Sequence, residues 1–83
     1  MNQVKYKVST KLICDGVERV EWLSEPMTAA EIRDDFETMM KDGVIPAMEV
    51  GEITVQNTFE AAVTLGEFEM RYRFSFVEQP PQE

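Results

Sequence analysis

The sequence contains no histidine and only one cysteine, Cys14. The absence of histidine excludes a Ser-His-Asp triad, a Cys-His pair and any histidine-bound metal centre. A single cysteine excludes an internal disulfide and a Cys-x-x-Cys motif, and Cys14 lies in the inward phase of a predicted strand, as a small core residue does. The glycines are scattered, so no phosphate-binding loop is present. We therefore expect a protein that is not an enzyme and binds no cofactor or metal.

Long apolar runs and basic residues are also scarce. No apolar run approaches the roughly 20 residues of a transmembrane helix, and the start, M-N-Q-V-K-Y-K, lacks the apolar segment of a signal peptide. We therefore expect a cytoplasmic protein without membrane contact. The chain has 16 acidic and 8 basic residues, which gives a net charge of −8. This balance disfavours nucleic acid as a partner and favours a protein with a basic surface.

Apolar residues alternate with polar or small ones on both sides of Gly66-Glu67. This period of two predicts a hairpin of two strands within residues 59–77, each with one buried face. Gly66 suits the first position of a two-residue type II′ turn, which requires a positive φ. That turn would set Leu65 opposite Phe68 and align the apolar residues of both strands on one side. We expect this hairpin to form the wall of the core.

Two further strands are predicted before the helix, at residues 4–14 and 17–23. In the second of these strands Val20 and Trp22 form the natural inward-facing pair. A simple two-residue turn would put the apolar faces of the two strands out of phase, because a shift of one residue turns every side chain to the other face. We therefore expect a three-residue connection or a bulge around Asp15-Gly16-Val17.

The clearest local signal is M-T-A-A-E-I, in which Thr28 and Glu31 have the spacing of a capping box. The predicted helix covers residues 29–42, and Gly43 is placed to end it in a left-handed conformation. Its apolar residues span about 100° of the helical wheel, which is typical of an amphipathic helix packed on a sheet. These apolar residues are Ala29, Ile32, Phe36, Met39 and Met40.

After the helix, residues 44–50 are predicted to form a loop because they include Pro46, and residues 51–56 are predicted to start a third strand. The order strand, strand, helix, strand, strand predicts an α+β fold, ββαββ, with one mainly antiparallel four-stranded sheet and a single amphipathic helix packed on one face. Numbered along the chain, the strands are expected in the sheet order 2-1-4-3 or 1-2-4-3. We expect a single domain over residues 1–78 and a disordered tail, Q-P-P-Q-E, over residues 79–83.

The outer side of the predicted helix is acidic. An acidic row on a rigid helix can imitate the spacing of phosphates and occupy a basic groove of a DNA- or RNA-binding protein, and Glu31 and Asp35 would lie about 6 Å apart along the axis. The alternative is a solvated face whose first-turn acids suit the helix dipole. This acidic helix face consists of Glu31, Asp34, Asp35, Glu37 and Asp42.

Five of the basic residues point away from the predicted core, onto the open face of the sheet. This basic sheet face consists of Lys5, Lys7, Lys11, Arg71 and Arg73. It would bind a phosphate backbone locally, although it lacks the interleaved aromatic residues on which RNA bases stack. The alternative is that these basic side chains form ion pairs with acidic side chains on neighbouring strands, such as Arg73 with Glu60 and Lys11 with Glu21.

A third candidate is the apolar loop, Val44, Ile45 and Met48, which follows the methionines of the helix. If it is exposed, an apolar loop with adaptable methionines would suit a protein partner. The alternative is that the loop folds over the helix end and closes the core.

These features favour a small acidic, non-enzymatic protein-binding module. One version is an inhibitor from a phage or mobile element, whose acidic helix face blocks a nucleic-acid-binding machine by mimicry. The first alternative is a structural or assembly subunit that self-associates through strand edges and the apolar loop, for example as a homodimer. The second alternative is a weak nucleic-acid binder that uses the basic sheet face. The sequence leaves open the identity of the partner and the surface that makes the contact.

Overall fold

One antiparallel sheet with a single helix on one side forms the structure, a computed structural model that describes residues 4–80. The elements are β1 (Lys5–Cys14), β2 (Val17–Leu23), β3 (Met27–Thr28), α1 (Ala29–Lys41), β4 (Phe59–Leu65) and β5 (Phe68–Glu78). The strand order is β2-β1-β5-β4, and β3 also pairs with β1. The predicted α+β fold is confirmed. Of the two sheet orders left open, the structure has the one in which the first strand borders the last.

The hairpin of β4 and β5 has the predicted register. Leu65 lies opposite Phe68, so the apolar side chains of both strands share one face. Gly66 has a φ of 63°, whereas the φ of Glu67 is not positive, which is the pattern of a type II′ turn. On its other side β5 pairs with β1, which places β5 in the interior of the sheet.

The hairpin of β1 and β2 differs from the prediction in the position of its irregularity. Its turn is the two-residue Asp15-Gly16, with φ values of 51° and 79°, the pattern of a type I′ turn. The extra residue is Arg19, because its neighbours Glu18 and Val20 pair with consecutive residues of β1. The bulge is therefore confirmed, but its predicted position at the turn is wrong.

Ser24 connects β2 to β3 along the same edge of β1. Its backbone N–H donates to the carbonyl of Val8 at 3.0 Å, and its side-chain oxygen accepts from the N–H of Val8 at 2.8 Å. The chain therefore stays attached to β1 across the break at Pro26, which cannot donate a hydrogen bond. This attachment fixes Thr28 at the sheet edge, immediately before α1 begins.

Both ends of α1 are capped as the sequence predicts. The side chain of Thr28 accepts from the backbone N–H of Glu31 at 3.3 Å, and the Glu31 carboxylate accepts from the N–H of Thr28 at 3.0 Å. At the other end Gly43 has a φ of 76°, and the N–H groups of Gly43 and Val44 donate back into the last turn, as in a Schellman motif. The helix therefore begins and ends at fixed places on the sheet.

The core lies where α1 packs on one end of the sheet. Ile32 and Phe36 are the most deeply buried side chains, with 0% and 2% exposure. The ring centroid of Phe36 lies 4.9 Å from that of Phe74 and 6.3 Å from that of Phe76, distances at which aromatic pairs add to the energy of burial. The buried core consists of Val8, Ile32, Phe36, Ile45, Ile53, Ala61, Phe74 and Phe76.

A long loop, residues 42–58, follows the helix and closes one side of the core. Ile45 and Ile53 from this loop are buried in the core. Met48 and Val50 are half-buried and pack against the same cluster. The predicted loop after the helix is confirmed, and it supplies part of the apolar interior.

The predicted strand at residues 51–56 is wrong. The guanidinium of Arg33 on α1 donates to the carbonyl of Gly51 at 2.7 Å, which fastens this segment to the helix. Further along, the N–H of Asn57 donates to the carbonyl of Thr54 at 3.1 Å and closes a local turn. The backbone is thus held by a helix side chain and a turn, and pairing with β5 begins only at Phe59.

The end of the described chain continues the sheet for one residue. The backbone N–H of Gln79 donates to the carbonyl of Lys5 at 2.9 Å. Residues 1–3, at the start of the predicted domain, and residues 81–83, in the predicted disordered tail, lie outside the described residues.

Loss of the Thr28 cap should weaken the fold. We expect Thr28→Ala to lower the free energy of unfolding by about 1 kcal/mol, because the N–H of Glu31 loses its acceptor. Urea denaturation followed by circular dichroism measures the difference. Thr38→Ala, an exposed position of the same helix, is the matched control and should not destabilise the protein. An equal loss in both variants would contradict the cap assignment.

The contribution of the Glu31 charge should depend on pH. The hydrogen bond from the backbone N–H of Thr28 holds the pKa of the Glu31 carboxyl below its ordinary value of 4.5. Because the folded pKa is the lower one, the stabilisation is present above the unfolded pKa and is lost as the pH falls through the folded pKa. We expect Glu31→Gln to be less stable than wild type at neutral pH, and the difference to shrink in urea titrations below about pH 4.5. A difference that is constant over this range would contradict the expectation.

Truncation of Phe36 should remove a large part of the stability. We expect Phe36→Ala to lower the free energy of unfolding by about 3–5 kcal/mol, out of the roughly 4–12 kcal/mol available to a domain of this size. Val55→Ala, an exposed loop position, should cost under about 0.5 kcal/mol. Chemical denaturation of both variants measures the contrast, and a cost below about 1 kcal/mol for Phe36→Ala would contradict the core assignment.

Candidate protein-binding surfaces

The sheet is longer than the helix that covers it. β5 has 11 residues and spans roughly 36 Å, whereas the 13 residues of α1 span only about 20 Å. The N–H of Asp15 donates to the carbonyl of Glu69 at 3.2 Å, so the turns of both hairpins lie at the same end of the sheet. α1 packs on the opposite end, beside β3. Among residues 4–80, the end with the two turns, which we call the free end, is therefore a single layer.

Apolar side chains from β1, β2, β4 and β5 occupy the helix side of this free end. Trp22 lies opposite Thr10, which lies opposite the core residue Phe74, so this row of side chains is on the side that carries the helix. None of the free-end residues belongs to the buried core. We call this surface the uncovered sheet face. It comprises Leu12, Cys14, Val17, Val20, Trp22, Val63, Leu65, Phe68 and Met70.

The uncovered sheet face is both exposed and uncharged. Phe68 is 66% exposed, Leu65 59% and Trp22 49%. Together the face presents an apolar area on the order of 600 Å², at the upper end of the patches found on monomers. None of its residues carries a charge, although the protein has a net charge of −8. Apolar patches of this size mark interaction sites.

The sequence did not predict this surface, because we expected every residue on the core side of a strand to be buried. Val20 and Trp22 do lie on the predicted side, but they are exposed because α1 does not reach that end of the sheet. Cys14, which we interpreted as a core residue, is only half-buried there. The signal that could have found the surface is length, since the predicted strands were too long for one short helix to cover.

A cleft of about 190 Å³ lies between α1 and the sheet. Its helix wall includes Asp35 and Met39, and its sheet wall includes Thr10 and Tyr72. Tyr72 lies opposite Leu12 in the sheet, so the cleft continues into the uncovered sheet face. The two together form one apolar surface with a step where the helix rises.

The acidic helix face lies along the exposed side of α1 and at the rim of this cleft. Glu31 is engaged in the capping box. The remaining members are all exposed, and none forms a salt bridge with a basic side chain among residues 4–80. Their charge is therefore available to a basic partner. These members are Asp34, Asp35, Glu37 and Asp42.

The arginines of the basic sheet face are paired with acids. Nε of Arg73 donates to the Glu60 carboxylate at 2.9 Å, which confirms the predicted pair. Nε of Arg71 donates to Glu69 at 2.6 Å, and this hydrogen bond raises the pKa of Arg71. The positive charge of both arginines is thus largely neutralised within the sheet.

The lysines of the basic sheet face differ in their partners. Lys11 lies 3.3 Å from the carboxylate of Glu18 rather than that of Glu21. The predicted pair with Glu21 is therefore wrong, because the Glu21 carboxylate accepts from the hydroxyl of Ser9 instead. Lys5 and Lys7 form no salt bridge with residues 4–80. The basic sheet face therefore has two positive charges, those of Lys5 and Lys7, that no acidic side chain among residues 4–80 neutralises.

The apolar loop is only partly accessible. Ile45 is 3% exposed and belongs to the core, so it is not accessible to a partner in this fold. Met48 is half-buried and its backbone N–H donates to the sulfur of Met40 at 3.3 Å. Val44 is exposed. The loop thus offers a much smaller apolar surface than the uncovered sheet face.

Comparisons with protein-family models, curated proteins and solved structures found no match for this chain. Within the described part of the chain, no helix has the length and apolarity needed to cross a membrane. Over the same residues, no group of three or more acidic, cysteine or histidine side chains is arranged to hold a metal ion.

The Arg73–Glu60 pair should contribute little to stability. Its side chains are 46% and 40% exposed, so water and salt screen their attraction. We expect a coupling energy of about 0.2–1 kcal/mol in a double-mutant cycle of Arg73→Gln and Glu60→Gln, and a smaller value in added salt. A coupling above about 2 kcal/mol would contradict the assignment of an exposed pair.

Proposed function

We propose that this chain is a non-enzymatic protein-binding module whose main contact surface is the uncovered sheet face. One observation supports this most strongly: nine uncharged residues from four strands lie on the helix side of a sheet end that α1 does not cover, and Trp22, Leu65 and Phe68 among them are exposed. The hydration of exposed apolar surface is unfavourable in free energy, and a bound partner that covers the surface removes this term. The proposal is thus of an interaction or assembly subunit.

Burial of this face would supply a large favourable term to the free energy of a specific complex. At about 25 cal/mol per Å², covering on the order of 600 Å² contributes roughly 15 kcal/mol before the costs of association. Those costs are about 4–15 kcal/mol, so the net affinity depends on a few well-packed anchors. Trp22 and Phe68 are the expected anchors, because large aromatic side chains dominate the energy of protein interfaces.

The acidic helix face is the second candidate contact surface. It is supported by a difference in salt bridges. Asp34, Asp35 and Glu37 form none with a basic side chain among residues 4–80. Arg71 and Arg73, in contrast, are already paired with acidic side chains. In this version the partner is a protein with a basic surface, and the chain is an inhibitor of phage or mobile-element origin that imitates nucleic acid.

Direct binding of nucleic acid through the basic sheet face has less support, because the paired arginines leave little free positive charge there. A cytoplasmic location is part of the proposal. It is supported by the single cysteine, which lies unpaired in the sheet, as is usual in a reducing compartment.

Affinity capture from a nuclease-treated lysate of the source cells, read by mass spectrometry, separates the two candidate surfaces. The first variant, Val20→Glu, places a charge on the uncovered sheet face. The second, Asp34→Lys with Asp35→Lys and Glu37→Lys, reverses the charge of the acidic helix face. We expect Val20→Glu to lose the main captured protein and the charge reversal to retain it.

A matched control and a salt wash complete this experiment. Val55→Glu adds the same charge at an exposed loop position and should capture as wild type does. A wash at about 0.5 M salt should leave the complex intact, because apolar contacts are not screened. A partner that resists Val20→Glu but is lost on charge reversal and in salt would replace the proposal by the acidic-helix version.

A further inference from the structure

We infer that the uncovered sheet face binds a second copy of this chain, packed face to face about a two-fold axis. The inference rests on the proposed function and names the partner. It is supported by the shape of the molecule, the charge of the face and the position of the cleft.

The molecule has two layers at one end and one layer at the other. α1 raises one end by about 10 Å, the usual diameter of a helix, whereas the uncovered sheet face is one sheet thick. Stacked sheets also lie about 10 Å apart. A second copy turned by 180° therefore fills the step. Its free sheet end lies beside α1 at the same height, and its own helix lies beyond the hairpin turns of the first copy.

The uncovered sheet face is complementary to itself in chemistry. A two-fold interface brings the same patch of both copies together, so a charged side chain near the axis would face the like charge of the other copy and be repelled. The nine residues of this face avoid that repulsion because all of them are uncharged, and the acids that come near the interface, Asp35 and Glu67, lie at its rim. A second copy also carries a patch of matching size and a matching step.

The hairpin tip of one copy reaches the cleft of the other. In the turned copy Gly66-Glu67 approaches the helix of the first, which brings Phe68 to the cleft between Met39 and Tyr72. Phe68 is the most exposed large apolar side chain of the described residues, and the cleft of about 190 Å³ offers it apolar walls. The same approach brings Glu67 towards Asp35, so added salt should strengthen the dimer by screening their repulsion.

The area of the face suits a reversible homodimer. A contribution on the order of 600 Å² from each copy gives about 1,200 Å² in total, the lower limit of specific interfaces. An interface at this limit is smaller than those of obligate dimers, so we expect monomer and dimer to exchange over the concentration series.

The only tryptophan and the only cysteine of the chain, Trp22 and Cys14, both lie on this face and report on it without labelling. Sedimentation equilibrium of the purified protein is run over a concentration series up to ~1 mM. Trp22 emission and the rate of Cys14 alkylation are recorded on the same samples. As the dimer forms, we expect the emission to move to shorter wavelengths and the alkylation to slow, and both midpoints to move to lower protein concentration in added salt.

Charged substitutions on and off the face test the interface itself. Phe68→Glu and Val20→Glu should each raise the dissociation constant at least about 30-fold, the loss expected for an interface anchor. Val77→Glu, at an exposed position on the open face of the sheet, is the matched control and should dimerise as wild type does. Circular dichroism verifies that each variant folds.

Two outcomes would overturn the inference. A dimer that both face variants leave unchanged would mean that another surface carries the self-association. A monomer up to ~1 mM would exclude the second copy as occupant. Neither outcome decides the proposed function, because capture from the lysate measures binding to other proteins and uses the same face variant.

Discussion

The packing of Phe36 against the aromatic side chains of the sheet holds the helix layer and the sheet layer together. Its ring centroid lies 4.9 Å from that of Phe74 and 6.4 Å from that of Phe59, and 2% of the residue is exposed. The capping box at Thr28 and the motif at Gly43 fix where α1 begins and ends. Phe36 is thereby placed against Phe59, Phe74 and Phe76, and the core forms around these rings.

Because α1 is placed at one end of the sheet, the molecule has two layers at that end and one layer at the other. The strands continue past the core and are held there by the β-sheet hydrogen bonds between neighbouring strands, and none of residues 4–80 forms a second layer on the helix side there. A domain of 83 residues buries only about 60–65% of its unfolded surface, so it has little chain with which to cover the free end. One end of the sheet thus supplies stability and the other supplies apolar surface. In our account that surface is the basis of function.

Most of the fold was predictable because its signals are local. The period of two in β4 and β5 and the capping box of α1 each depend on residues close together in sequence. The prediction of a strand at residues 51–56 was wrong because a buried apolar residue such as Ile53 occurs in loops as well as in strands. Only its contacts with the helix, such as the hydrogen bond from Arg33 to Gly51, decide between the two.

The candidate site was less predictable than the fold. The acidic helix face could be read from the sequence, since the exposed side of an amphipathic helix is a local property. The side on which Val20 and Trp22 lie was also correct. Their exposure was not predictable from alternation, because it depends on how far α1 reaches across a sheet made of distant segments.

An isotope-filtered nuclear Overhauser experiment on a mixture of labelled and unlabelled protein would show whether two copies pack through the uncovered sheet face. It detects only contacts between different copies of the chain. We expect contacts from Phe68 of one copy to Met39 and Tyr72 of the other. If the intermolecular contacts of a dimeric sample involve other surfaces, and those of Phe68 are all within one copy, the uncovered sheet face is not the dimer interface.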